Sequence, residues 1–162
     1  MVHEKDFLIQ KLEEAGVKKN QIYTSIKTLK QANATHLGAV LCNGETYSRS
    51  GSKRKFKDQE GIRKRRVKLL DRETVFRIII ADPDEHRCEQ ILTTFLTIVG
   101  QGLAVDGNWI NLEIGKSDWV EEGDSILKAK IAVELEVTFE GGIYVDRELI
   151  GKTIDGIATE KE

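Results

Sequence analysis

Between Leu127 and Phe139 the chain reads LKAKIAVELEVTF, and polarity alternates residue by residue. Leu127, Ala129, Ile131, Val133, Leu135, Val137 and Phe139 form one set, and Lys128, Lys130, Ala132, Glu134, Glu136 and Thr138 form the other. A period of two matches a strand, whose successive side chains point to opposite faces, and does not match a helix, which repeats every 3.6 residues. At ~3.3 Å per residue, thirteen residues span roughly 43 Å, long enough to project beyond a small core or to bend. Glu140-Gly141-Gly142-Ile143 then predicts a turn back into Tyr144-Val145, and so a long C-terminal β-hairpin.

A strand with one apolar face needs a cover, and a helix supplies it. In Ala81-Asp82-Pro83-Asp84-Glu85, Asp82 suits the N-cap, Pro83 the first helical position, and Asp84 and Glu85 the positive end of the helix dipole. Cys88, Ile91, Leu92, Phe95, Ile98 and Val99 follow at helical spacing up to Gly100. A first amphipathic helix is predicted from Glu4 to Ala15, with Phe7, Leu8, Leu12 and Ala15 on one side and Gly16 as its stop. Residues 17–34 suit either a helical turn or a short strand. His36 to Cys42 reads as a strand closed by a hairpin turn at Asn43-Gly44, with its partner starting at Glu45. VKLLDRETVFRIII reads as paired or bent strands around an Asp-Arg-Glu break, most buried from Phe76 to Ile80, and Trp109 to Ile114 as a further strand. The expected fold class is α+β: an antiparallel or mixed β-sheet with the N-terminal helix and a second, capped helix packed on one face. Residues 1–150 are expected to form one domain and residues 151–162 a polar C-terminal tail.

The net charge of −2 conceals a polarity along the chain. Residues 1–74 hold 17 Lys and Arg against nine Asp and Glu, a net of +8, whereas residues 75–162 hold eight against 18, a net of −10. Eight of the cations fall between Lys53 and Arg66, inside a segment, 48–66, that reads as an exposed basic hairpin or loop anchored only by Phe56 and Ile62. Such a segment suits two partners. One is nucleic acid, with phosphates held by the cations and a base stacked on Phe56. The other is an acidic surface on a second copy or another protein, supplied by Glu134, Glu136 and Glu140 or by Asp118, Glu121, Glu122 and Asp124. The second would be a heterologous contact, the kind that closes rings.

Catalytic chemistry is not signalled. His3, His36 and His86 lack metal-ligand spacing, and Ser50-Gly51-Ser52-Lys53 lacks the spacing and context of a phosphate loop. Glu134 and Glu136 are a pair of carboxylates only in the sense that they share the polar side of a strand. No enzyme activity, cofactor or metal is expected. Cys42 and Cys88 are read as free, buried thiols. The opening residues MVHEKDFLIQKLEE lack the apolar stretch of a secretion signal, and no run approaches ~18 apolar residues, so a cytoplasmic location without a membrane is expected.

The order of elements resembles that of the tail terminator, or tail completion, proteins of long-tailed bacteriophages and phage-tail-like particles. The resemblance runs from about Phe7 to Val145 and rests mainly on TVFRIIIADPDEHRCEQILTTFL and ILKAKIAVELEVTFEGGIYVD. It implies a structural virion protein, assembled in the host cytoplasm as a hexameric ring. Such a ring caps the tail tube protein and meets the head-side connector, and it would allow contact with DNA passing through it. For such a subunit, Lys53, Arg54, Lys55, Arg63, Arg65 and Arg66 would contact a neighbour or the tube, and Glu134 and Glu136 would face a subunit or the lumen. The alternative is a nucleic-acid-binding module using the basic segment 53–66.

Overall fold

The computed structural model of the chain describes residues 1–120 and 131–149. The described chain is α+β. In order it forms α1 (Val2–Ala15), a 3-10 turn (Lys19–Gln21), β1 (Ile22–Tyr23), α2 (Ile26–Gln31), β2 (Leu37–Arg49) and β3 (Lys53–Lys57). These are followed by β4 (Arg63–Ala81), α3 (Glu85–Ile98), β5 (Gly102–Val105), β6 (Asn108–Val120) and β7 (Ala132–Glu148). The strands pair in the order β1-β2-β4-β7-β6-β5, with β3 alongside β4. β1 runs parallel to β2, whereas β3–β4, β5–β6 and β6–β7 are antiparallel, so the sheet is mixed. The chain divides into two compact units, one of residues 1–46 and 73–141, the other built on residues 47–72 and the chain from 142 onward.

The first unit contains the core, and the alternation of its strands explains where. Leu8 and Leu12 of α1 and Cys88, Ile91, Leu92 and Phe95 of α3 are buried in one cluster with Val40, Phe76, Ile78, Ile80, Val133, Leu135, Val137 and Phe139. Phe139 lies edge-on to Phe76, with centroids 5.7 Å apart, and to Phe7 at 6.3 Å. The odd positions of β7 thus meet the helices, as their alternation predicts. On the opposite face Leu29 and Ala32 bury Ala39, Leu41, Ile79, Ala81 and Ala132 in a smaller cluster. Ala132, grouped by sequence with the polar set, is therefore covered. Ser25 caps α2, its hydroxyl accepting from the Thr28 amide at 3.2 Å, so residues 17–34 supply both a short strand and a helix.

Several turns expected from sequence are absent. Gly44 does take a positive φ of 126°, yet β2 runs on to Arg49 and no hairpin forms at Asn43-Gly44. The Asp-Arg-Glu triplet at 71–73 does not interrupt β4, which is continuous for 19 residues. Nor does β7 turn at Gly141-Gly142; the C-terminal antiparallel pair is β6 with β7. Gly142 answers a different need: a Cβ there would lie 2.4 Å from Lys68 Cε and 3.0 Å from the Leu70 carbonyl oxygen, so glycine permits a close approach of neighbouring chain. The N-cap of α3 is Asp84, whose carboxylate accepts from the His86 amide at 3.0 Å, two residues beyond the expected Asp82. Cys42 is exposed, because β2 is buried only from Leu37 to Leu41; Cys88 is buried as expected. Residues 127–130 of the alternating run and the tail 151–162 lie outside the described residues.

Truncating Phe139 to Ala removes a fully buried ring wedged between two others, and urea denaturation should show a loss of about 3–5 kcal/mol. Its neighbour Thr138, on the opposite face, should tolerate Ala within about 0.5 kcal/mol.

Candidate functional site

The basic segment is an antiparallel hairpin. Its register pairs Lys53 with Val67, Arg54 with Arg66, Lys55 with Arg65, Phe56 with Lys64 and Lys57 with Arg63. Paired residues share a face, so the hairpin sorts its cations: Lys53, Lys55, Lys57, Arg63 and Arg65 lie on one side, Arg54, Lys64 and Arg66 on the other. The second side is locally neutralised. Arg66 donates through Nε to Asp146 Oδ1 at 2.7 Å and through Nη2 to Oδ2 at 2.9 Å, a bidentate contact that holds the Asp146 carboxyl below its ordinary range. Its guanidinium also covers the Phe56 ring at 4.7 Å, so that ring already has a stacking partner. Lys64 reaches Asp58 at 3.2 Å. Asp58 closes the turn by accepting from the Ile62 and Glu60 amides, and these bonds, the Ile62 amide above all, keep its carboxyl ionised to lower pH.

The first side is different. Lys57 and Arg63 stand directly opposite each other, both exposed, with no acidic side chain paired to either among the described residues. Arg65 is only 6% exposed and so supports the hairpin from inside. The described residues of this unit, 47–72 and 142–149, carry 12 Lys and Arg against five Asp and Glu, a net of +7. Arg65 and Val67 are its only buried residues among those described, while Tyr47, Ile62, Leu69 and Ile143 are exposed. It is a sheet almost without a core of its own.

Glu134 and Glu136 fall in the other unit, so the eight candidate residues do not form one patch. That unit carries nine Lys and Arg against 16 Asp and Glu in its described residues, a net of −7. The charge polarity therefore follows the compact units more closely than the two halves of the chain. On β7, Glu134 is half-buried and Glu136 exposed, on the face away from α1 and α3. An irregularity in β6 between Ile114 and Ser117 sets the register that brings Asp118 directly opposite Glu134. Arg77 approaches Glu134 only to 4.0 Å, and Lys116 pairs with Asp118 at 3.2 Å. With Asn43 these groups line a shallow cavity of about 120 Å³. Glu121, Glu122 and Asp124 lie outside the described residues.

One cluster escaped sequence reasoning. Asp82, 5% exposed, accepts from the Asp84 amide at 2.9 Å through Oδ1, from His36 Nδ1 at 2.8 Å and from Arg87 Nε at 3.3 Å through Oδ2. Its own amide donates to the Ile131 carbonyl at 3.2 Å. The carboxylate places the proton on Nδ1 of His36 when that ring is neutral, and Nε2 is buried with no hydrogen-bond partner among the described residues. The cluster ties the start of β2 and the end of β4 to the first turn of α3. A His and an Asp separated by 46 positions leave no local signal of this pairing. Cys88 is likewise structural: its Sγ donates to the Ile80 carbonyl at 3.3 Å, and burial pushes the thiol up to about 11. No group of three or more His, Cys, Asp or Glu suited to a metal occurs among the described residues, and no described helix is long and apolar enough to cross a membrane.

The arrangement defines an α+β protein whose chemistry lies in charged surfaces. Comparison with protein-family models and with curated protein sequences gives no match for the chain.

Asp82→Ala should cost about 3–5 kcal/mol in chemical denaturation, because it leaves His36 and Arg87 without their carboxylate. In the double variant with His36→Ala the loss should be less than the sum of the two. Cys88 remains protonated in the folded chain where the unfolded thiol ionises, so its contribution is complete below about pH 9.0 and is lost as pH rises toward about 11. Thermal melts across this window should fall less steeply for Cys88→Ala than for the parent.

Proposed function

We propose that this chain is a structural, ring-forming subunit of the tail terminator type, belonging to a phage tail or tail-like particle, capping a tail tube and meeting a head-side connector. The observation that supports this best is the pairing of a nearly coreless +7 sheet with a −7 unit on one chain. A three- or four-stranded sheet gains independent stability by covering an apolar face, and here the described residues bury only Val67 and Arg65. A second protein surface can complete that cover. Opposite charges on two different patches favour contact of patch with counter-patch on the next copy, a head-to-tail arrangement that closes into a ring when the rotation allows. The hexameric count comes from the family resemblance alone.

Sedimentation velocity on the purified chain tests the reading. A discrete assembly near six times the chain mass is expected at low salt, weakening from about 0.01 M to about 1 M NaCl as the screening length falls from about 30 to about 3 Å. A monomer at every salt and protein concentration, alone and with tube protein, would overturn it.

A further inference from the structure

Like charges placed directly across two strands repel, and a fold that retains such pairs gains when an opposite charge approaches from outside. Each unit retains one such pair, and the two differ in sign. Lys57 faces Arg63 at the end of the hairpin, with Lys55 on the same side. Asp118 faces Glu134 on the open side of β6 and β7, with exposed Glu136 two residues along the same strand face. Their neighbours compensate them unequally. Lys116 and Arg77 attend the acidic pair, the latter at 4.0 Å, while Glu136 has no ion-pair partner among the described residues. The opposite side of the hairpin is neutralised by Asp146 and Asp58, so only one of its two faces carries unbalanced charge.

Resting on the ring reading above, we infer that the hairpin face of Lys55, Lys57 and Arg63 docks on the Asp118, Glu134 and Glu136 strip of a second copy of this chain. The complementarity in sign, the equal and opposite net charges of the two units and the matching cross-strand pairs all favour a second copy as occupant. In this contact the cations and carboxylates alternate at strand spacing, with side chains on one face of a strand repeating every ~6.6 Å on both partners. Because the two patches differ, each copy offers one and receives one, and a chain of such contacts closes only as a ring.

The test is a charge swap followed by light scattering on the full chain. Variant one carries Lys57→Glu and Arg63→Glu, and variant two carries Glu134→Lys and Glu136→Lys. Each alone is expected to associate at least tenfold more weakly than the parent, with an unchanged circular dichroism spectrum. Mixed in equal amounts they should assemble again, since the reversed hairpin of one fits the reversed strip of the other. A control, Lys18→Glu with Lys19→Glu, makes the same change in net charge as variant one and should associate as the parent does. If the parent assembles and the variants match it, or if mixing restores nothing, the docking assignment is overturned while the ring reading stands. A parent that never assembles sinks the ring reading and the docking with it. Loss of binding to a short DNA duplex by variant one, with assembly intact, would make the hairpin a nucleic-acid surface and likewise overturn the assignment.

Discussion

The first unit is organised by a single constraint, the burial of one face of β4 and β7 under α1 and α3. Phe76, Ile78 and Ile80 from β4 and Val133, Leu135, Val137 and Phe139 from β7 provide the apolar surface, and Leu8, Leu12, Ile91 and Phe95 close it. At about 25 cal/mol per Å² of apolar surface removed from water, this cover outweighs any single polar contact in the fold. Two helices suffice for one face. The opposite face receives only α2, whose six residues reach Ala39, Leu41, Ile79, Ala81 and Ala132. Beyond that small cluster the sheet presents Glu134, Glu136 and Asp118. The acidic strip is thus a consequence of one-sided covering.

The long strands have a second consequence. β4 is 19 residues and β7 17, more than the helices of 14 residues each can cover at 1.5 Å per residue. The part of the chain beyond the core, residues 47–72 and 142–149 among those described, compensates with polar structure: the Arg66–Asp146 fork, Arg66 over Phe56, and Lys68 near the Tyr144 ring at 6.0 Å. Exposed ion pairs contribute little, typically under about 1 kcal/mol each. Such a sheet holds its shape by strand pairing and gains most from a partner. Its Lys-rich edge strand β3 also discourages indiscriminate strand addition, so that the partner is chosen by charge.

Much of the architecture was readable in advance because the strongest signals are periodic. The helix from Cys88 to Ile98 and the alternation around Val133 to Phe139 need only the sequence, since the spacing of apolar residues reports which face is dry. The Gly-containing dipeptides misled for a physical reason. Asn43-Gly44 and Gly141-Gly142 allow a turn without requiring one, and pairing to neighbouring strands kept both segments extended. Asp82 was misplaced by two residues as a cap because its carboxylate is engaged by His36 and Arg87, leaving Asp84 to cap α3. Of the candidate site, the charges were visible and their grouping was not: six of the eight residues lie in one unit and two in the other, and Arg65 is buried.

By itself the sequence determined the amphipathic segments, the α+β class and the opposed charges, because composition and period are properties of the chain that folding preserves. Only the tertiary structure decided that the basic run is a two-faced hairpin, that Asp118 opposes Glu134, and that His36 meets Asp82. Those facts depend on strand register and on contacts between distant segments. A one-residue shift in register exchanges the faces of every side chain in a strand, and no local pattern in these segments specifies that choice.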